Sequence, residues 1–335
     1  MPPAPGLQRS LAVEAFTRSR RSIEAMAESK TAVVAALAGN ASLAVLKGIS
    51  AAATGSAAML AETFHSIADT GNQVLLLLGL RLAQRPADET HRFGHGRNIY
   101  FWAFVVAVML FSLGGAFAIW EAVQKFRHGG VHAPSIWSYV VLAGAFLFEA
   151  GSLAVALHAL REVKRDVPLG RFWRDNRDPT LTTVVLEDSA ALLSLVVAAA
   201  GLLMSHLTGS AAWDAAASAI IGVLLIAVAL LLAFENYSLI IGESAPGEVQ
   251  QRIARAIGAD TGVARLVSLH TMHLGPDAVL VVARVKFRPD LRVSDIEASV
   301  ERLEARIAPL AGARTTRRMI VIEPAAGAAD VSLAA

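Results

Sequence analysis

The 335-residue chain has no cysteine. That excludes disulfides, thiolate metal sites and cysteine nucleophiles, so any bound metal must be held by His, Asp, Glu, Asn or backbone oxygen. Charge is also scarce: Asp, Glu, Lys and Arg make up 17% of residues, where a soluble domain usually carries about 25%. A net charge of +2, with no extended basic patch outside the loops, gives no reason to expect nucleic acid as a partner. The first thirty residues hold Arg9, Arg18, Arg20 and Arg21 beside Glu14, Glu24 and Glu28, without the apolar core of a signal peptide. Residues 1–30 read as a cytoplasmic N-terminal arm.

Apolar residues are abundant. They form 55% of the chain, its mean hydropathy is +0.51, and they gather in long blocks between residues 31 and 241. A helix needs about 20 mostly apolar residues to cross a bilayer. Six segments qualify: 31–54, 57–82, 98–123, 135–160, 181–206 and 212–236. The connections at Gly55 and Gly209 are short, so the helices flanking each form antiparallel hairpins. Positive charge collects on one side. Arg18, Arg20, Arg21 and Lys30 lie in the arm, Arg81, Arg85, Arg92 and Arg97 in the second-to-third loop, and Arg161, Lys164, Arg165, Arg171, Arg174 and Arg177 in the fourth-to-fifth. Only Lys125 and Arg127 lie opposite. Positive loops stay inside, so both termini are expected in the cytoplasm.

After Ile241 the pattern changes. Glu248–Gly258 reads as an amphipathic helix, and Val263–His273 and Ala278–Phe287 as strands joined by a turn at Gly275-Pro276-Asp277. Ser294, with Glu297 three residues on, is the expected N-cap of a helix reaching Ile307, and Arg318–Ile322 makes a third strand. The predicted fold is an α-helical membrane protein. A six-span transmembrane bundle over 31–241 precedes a small cytoplasmic α+β (αββαβ) domain over 242–324, and an Ala-rich tail over 325–335 is expected to be disordered.

Ionisable groups at membrane depth are costly and mark functional sites by default. His65 and Asp69 in the second span are four residues apart, on one helix face, where an imidazole and a carboxylate can share a metal ion. The alternative is a His–Asp hydrogen bond that only stabilises the helix. Glu187 and Asp188 in the fifth span are adjacent acids that repel each other unless a cation compensates. About 100° of rotation separates such neighbours, so one can bind metal while the other supports it or carries protons. One imidazole among carboxylates suits Zn²⁺, Fe²⁺, Co²⁺ or Mn²⁺ better than Mg²⁺ or Ca²⁺. Such a site also binds protons, which an arriving metal must displace.

Other polar positions have several readings. Asn40 and Asn72 suit a proton route or support of the metal ligands, and Glu149 either ties two helices or joins that route. Lys47 either snorkels or is paired. Asp214, at the start of the sixth span, suits a capping role better than metal binding. His91 and His95 either collect metal at the cytoplasmic mouth or form a solvated turn.

This pattern resembles the cation diffusion facilitator family of divalent metal transporters. The likeness is carried by Asn40, Lys47, Gly55-Ser56 and Ala61-Glu62 ahead of His65-Ser66-Ile67-Ala68-Asp69, by the loop His91-Arg92-Phe93-Gly94-His95-Gly96-Arg97, and by a tail closing on Glu323-Pro324. The resemblance implies a homodimer, joined through its membrane and C-terminal domains, that exports metal in exchange for protons. It implies a site between the second and fifth spans with His65 and Asp69 as ligands. The fifth span departs from the family pattern of His or Asp followed four residues later by Asp. Glu187 holds the first position and Ala191 the second, so Asp188 is the substitute, as in a divergent branch. Many members bind further metal in the tail. Here His270 and His273 fall on opposite faces of a strand, and the domain is expected to serve dimerisation instead.

The expected function is a Zn²⁺/H⁺ antiporter exporting metal from the cytoplasm by alternating access, with Zn²⁺ as transported substrate rather than cofactor. The expected location is a bacterial plasma membrane. The alternatives are an Fe²⁺, Mn²⁺ or Co²⁺ transporter of the same type, or a membrane metal sensor or scaffold without flux. A membrane metalloenzyme would need an open coordination position and a nearby acid–base group, and no catalytic loop is recognisable, so no enzyme is expected.

Overall fold

The computed structural model describes residues 37–128, 136–164, 179–276, 278–312 and 315–325. The N-terminal arm, the start of the first predicted span, the loop arginines from Arg165 to Arg177, Asp277 and the tail beyond Ala325 lie outside them.

Among the described residues, six long helices precede a small sheet domain. They are α1 (37–54), α2 (Ala57–Ala83), α3 (Asn98–His128), α4 (Ile136–Lys164), α5 (Pro179–Thr208) and α6 (Ala212–Ile241). The turns before α2 and α6 each place a glycine in the left-handed region, Gly55 at φ 59° and Gly209 at φ 67°, which costs glycine little. Of the six, α3, α4, α5 and α6 are long and apolar enough to cross a membrane. The second helix has the length, but its buried face carries Glu62, His65, Asp69 and Asn72 while Ile67, Val74 and Leu77 face outward. A helix with its polar stripe turned inward is what a bilayer around the bundle requires.

The bundle core holds Met59, Leu110, Leu195, Ile221, Leu225 and Leu232. Within α3, Leu110–Ala116 widens to a π-helix. There Gly115 crosses Gly222 of α6 so closely that a Cβ on either glycine would lie 2.9–3.0 Å from the other's carbonyl oxygen. Just beyond, Phe117 meets Phe64 of α2 with ring centroids 3.8 Å apart.

The C-terminal domain runs α7 (Gly247–Gly258), β1 (Val263–Gly275), β2 (Ala278–Phe287), α8 (Val293–Ala311) and β3 (Ile320–Pro324), the αββαβ order expected. Strand β2 is central, antiparallel to β1 and parallel to β3. Ile253, Ile257, Val281, Val285, Leu303 and Ile307 make one core between helices and sheet. Three local expectations are corrected. Helix α8 starts at Val293 with Arg292 as N-cap, because Asp295 rather than Glu297 reaches back, accepting from the Arg292 amide at 3.0 Å. It continues past Ile307 because Ala311 extends the buried stripe. Strand β3 begins at Ile320, after a 3₁₀ turn over Arg317–Met319, in the register that pairs buried Ile320 with Val281.

The two parts touch at the connection between α2 and α3. Gly96 packs on the β1–β2 turn, where an added Cβ would collide with the Leu274 carbonyl. The Arg97 Nε donates to the His273 carbonyl at 3.4 Å. His273 is buried and His270 exposed, on opposite faces of β1 as expected.

Candidate metal centre

The 3.6-residue period of α2 puts Glu62, His65, Ser66, Asp69 and Asn72 on one inward face, all buried. His65 Nδ1 lies 3.5 Å from Asp69 Oδ1. Neither nitrogen of His65, nor that Asp69 oxygen, makes a hydrogen bond. A merely structural His–Asp pair would satisfy at least one of them, because an unmet buried polar atom costs about 1–3 kcal/mol. The unused lone pairs instead form a nitrogen and oxygen surface suited to a cation.

Opposite, α5 carries Glu187 and Asp188. Glu187 Oε1 accepts from Asn72 Nδ2 at 2.8 Å. Asp188 Oδ2 accepts from Ser152 Oγ of α4 at 2.7 Å. The two acids are thus turned to different neighbours, one toward α2 and one toward α4. Glu187, Asp188 and Glu149 of α4 all lie within electrostatic range of Asp69. Glu149 is itself buried. The four predicted ligands therefore border one acidic interior without closing on a single point. Among the described residues, only Asp88, His91 and His95 bring three such ligand atoms within 4.8 Å of one another. Ala191, where the family pattern puts a carboxylate, is buried. Asn40 is buried on α1 with its Oδ1 unpartnered.

Lys47 does not snorkel. It is fully buried, 2.9 Å from Glu62 Oε2 and 2.8 Å from Ser66 Oγ. Asp214 caps a helix, but not its own. Ser56 Oγ donates to its Oδ1 at 2.6 Å, and the amides of Ala57 and Ala58 donate at 2.7 and 3.3 Å. It thus closes the N-terminus of α2, with Lys125 Nζ 4.0 Å away.

The second cluster lies in the connection between α2 and α3. His95 Nε2 is 2.9 Å from Asp88 Oδ2, His91 Nδ1 is 3.5 Å from Asp88 Oδ1, and the two rings are 4.3 Å apart. The His95 contact, the His91 backbone amide and Thr90 together hold the Asp88 carboxyl well below the usual aspartate range. Its charged form is therefore ready for a cation. Sequence reasoning singled out the two histidines and missed Asp88, although its spacing of three and seven residues ahead of them was available. It likewise missed Ser152 and assigned Glu62 no role.

The model of the cation efflux transmembrane domain matches residues 33–241. A mitochondrial proton-coupled zinc antiporter of Xenopus laevis is 32% identical over 236 residues, covering 70% of this chain and 42% of its own length. Metal tolerance protein C4 of Arabidopsis thaliana is 30% identical over 240 residues, 71% of this chain and 52% of that protein. Magnetosome protein MamB of Paramagnetospirillum magneticum is 25% identical over 286 residues, 85% of this chain and 91% of its own. The chain spans about half or less of the first two relatives' lengths. With the family match over most of the chain, the inward polar face of α2 and the acids of α5 facing it, this protein belongs to the cation efflux, or cation diffusion facilitator, family.

Proposed function

We propose that the protein carries a divalent transition-metal cation across a membrane in exchange for protons, with Zn²⁺ as first substrate and export from the cytoplasm as direction. The observation that carries this is the His65–Asp69 pair, buried in the bundle with its ligand atoms unused. In this reading the ion approaches through Asp88, His91 and His95 and passes to His65 and Asp69. Glu187 and Asp188 complete its coordination by exchanging their bonds to Asn72 and Ser152 for the metal. Protons arriving from the far side then return the carboxylates and His65 to their metal-free state. Asn40 and Glu149 lie along the proton route.

Similarity to a proton-coupled zinc antiporter supports Zn²⁺ and proton coupling. Both termini, the domain over 242–324 and the α2–α3 connection are on the cytoplasmic side in this proposal, which rests on the arginine bias of the loops. A bacterial plasma membrane is the proposed location, and a homodimer joined through the membrane and C-terminal domains the working assembly. One observation favours a second substrate class. Three carboxylates and one imidazole form a harder ligand set than a zinc site usually has, which suits Fe²⁺ or Mn²⁺, with Co²⁺ between.

The test is metal uptake into proteoliposomes under an imposed pH gradient, comparing Zn²⁺, Mn²⁺, Fe²⁺ and Co²⁺ for the wild type and Asp69→Ala. Gradient-driven flux that the substitution abolishes is expected, and the metals are ranked in the same experiment. Flux surviving in Asp69→Ala removes the site assignment. Metal binding without flux of any ion replaces the transporter by a sensor or scaffold.

A further inference from the structure

A cavity of about 590 Å³ opens where the membrane bundle meets the C-terminal domain. Leu80, Ala83 and Ile99, from the ends of α2 and α3, give it an apolar side. Arg85 and Arg92 come from the α2–α3 connection and Arg318 from the turn before β3. No aspartate or glutamate lines it among the described residues. Nor does any of these three arginines have a carboxylate partner among them; Arg92 Nε donates only to the Glu89 carbonyl, at 3.2 Å. Elsewhere in the C-terminal domain three arginines are paired with acids, Arg284 with Glu323, Arg288 with Asp290 and Arg302 with Asp260, while Arg255 and Arg306 donate to backbone carbonyls.

Three exposed guanidinium groups around one cavity, contributed by two domains and without a carboxylate partner among the described residues, repel one another. A single anion reverses the sign of that interaction. We propose that this interdomain cavity binds a phosphate group, held by Arg85 and Arg92 on one side and Arg318 on the other, and that the bound phosphate clamps the C-terminal domain to the α2–α3 connection. Guanidinium forks match phosphate oxygens two at a time, and several arginines suit a dianion better than a lone carboxylate. Leu80, Ala83 and Ile99 lie at the ends of α2 and α3, which is the cytoplasmic, headgroup-facing end of the bundle in the topology proposed above. The phosphate can therefore belong to an anionic phospholipid or be free in solution. His95 also lines this cavity while its Nε2 contacts Asp88, so the phosphate would sit against the back of the Asp88–His91–His95 cluster.

The experiment is hydrogen exchange on the full chain in two settings. One is neutral detergent with inorganic phosphate, or with chloride at equal ionic strength; the other is nanodiscs of phosphatidylcholine with or without phosphatidylglycerol. Wild type is compared with Arg318→Gln and Arg85→Gln, and exchange in α6 verifies that each variant is folded. Phosphate at about ten times its Kd is expected to slow opening of the α2–α3 connection and the β1–β2 turn about tenfold. Both variants should lose that protection. Protection by inorganic phosphate in detergent assigns a soluble source, and protection only in phosphatidylglycerol discs assigns the lipid. The proposal is overturned if neither condition protects the wild type, or if both arginine variants are protected as well as it is. None of these readouts depends on transport.

Discussion

Lys47→Met tests how the buried charge next to the proposed metal site is balanced. The Lys47 ammonium lies 2.9 Å from Glu62 Oε2 and 2.8 Å from Ser66 Oγ, with side-chain exposures of 1% for Lys47 and 0% for Glu62. Removing one partner of such a pair leaves the other charge buried and unmatched, which costs about 3–5 kcal/mol. Replacing both by apolar residues of similar volume is often close to neutral. Lys47→Met and Glu62→Leu are therefore expected to destabilise strongly when made singly. The double substitution should stay near the wild type, far from the sum of about 6–10 kcal/mol that independent effects would give. Unfolding in detergent, followed by tryptophan fluorescence, measures all four corners of this cycle. A double variant as unstable as the two singles added together would refute the view that the pair acts as one unit. A second readout bears on function. Glu62 is three residues ahead of His65 on the same buried face, so without Lys47 it becomes a further carboxylate within reach of the ion. Calorimetry should show tighter metal binding in Lys47→Met, and vesicle assays slower release. Unchanged affinity would show that Glu62 does not reach the metal.

Asp214→Ala removes the acceptor for Ser56 and for the Ala57 and Ala58 amides; a loss of about 1–3 kcal/mol per unmet buried donor is expected in the same unfolding assay, with partial rescue by Asp214→Asn. Asp88→Ala takes the only oxygen ligand from the Asp88–His91–His95 cluster. Titration with Zn²⁺ should show that site weakened by at least the roughly 10–100-fold that loss of a mere supporting partner costs, while binding at His65 and Asp69 persists. In the C-terminal domain burial pushes the Asp260 carboxyl up, but Arg302, Ser299 and the Gly262 amide outweigh it and hold it below its ordinary value of 3.8. A depressed folded-state value means the stabilisation is complete above the unfolded value and is lost as pH falls through the folded one. Hydrogen exchange across β1 and α8 should therefore accelerate in the wild type only below about pH 4, and Asp260→Asn, less stable at neutral pH, should lack that acid step.

The bundle was legible in the sequence because membrane depth makes a polar residue conspicuous. His65, Asp69, Glu187 and Asp188 stood out against apolar runs, and the structure turns all four toward one interior. What periodicity could not supply was pairing between helices. That Asn72 reaches Glu187, Ser152 reaches Asp188 and Lys47 reaches Glu62 depends on helix rotation and crossing, and no local pattern encodes these. Asp214 shows the same limit. Its place at a helix start indicated a cap, but the helix it serves is 158 residues away from it at Ser56. In the C-terminal domain the order of elements was readable from alternation, while the start of β3 was not. Burial of Ile320 against Val281 fixed that register, and the arginines before it carried no signal. Asp88 went unnoticed because an acid in an exposed, charged loop is ordinary until folding sets it between two imidazoles.

The bond from Ser56 to Asp214 has a mechanical meaning. It fastens one end of α2 to α6, so α2 can swing only about that end or travel with α6 as one body. A fastened end is a fulcrum, and displacement grows with distance from it. Asp69 lies thirteen residues further along, or about 20 Å at 1.5 Å per residue, so a tilt of about 10° moves its carboxylate by about 3 Å. With Asp69 as a ligand, as proposed, that would be the difference between touching an ion and releasing it. In the proposed transport cycle the amplitude of such a stroke would be set by the length of helix between Ser56 and Asp69, and a small rotation at one face of the membrane would suffice to open or close the proposed ligand set.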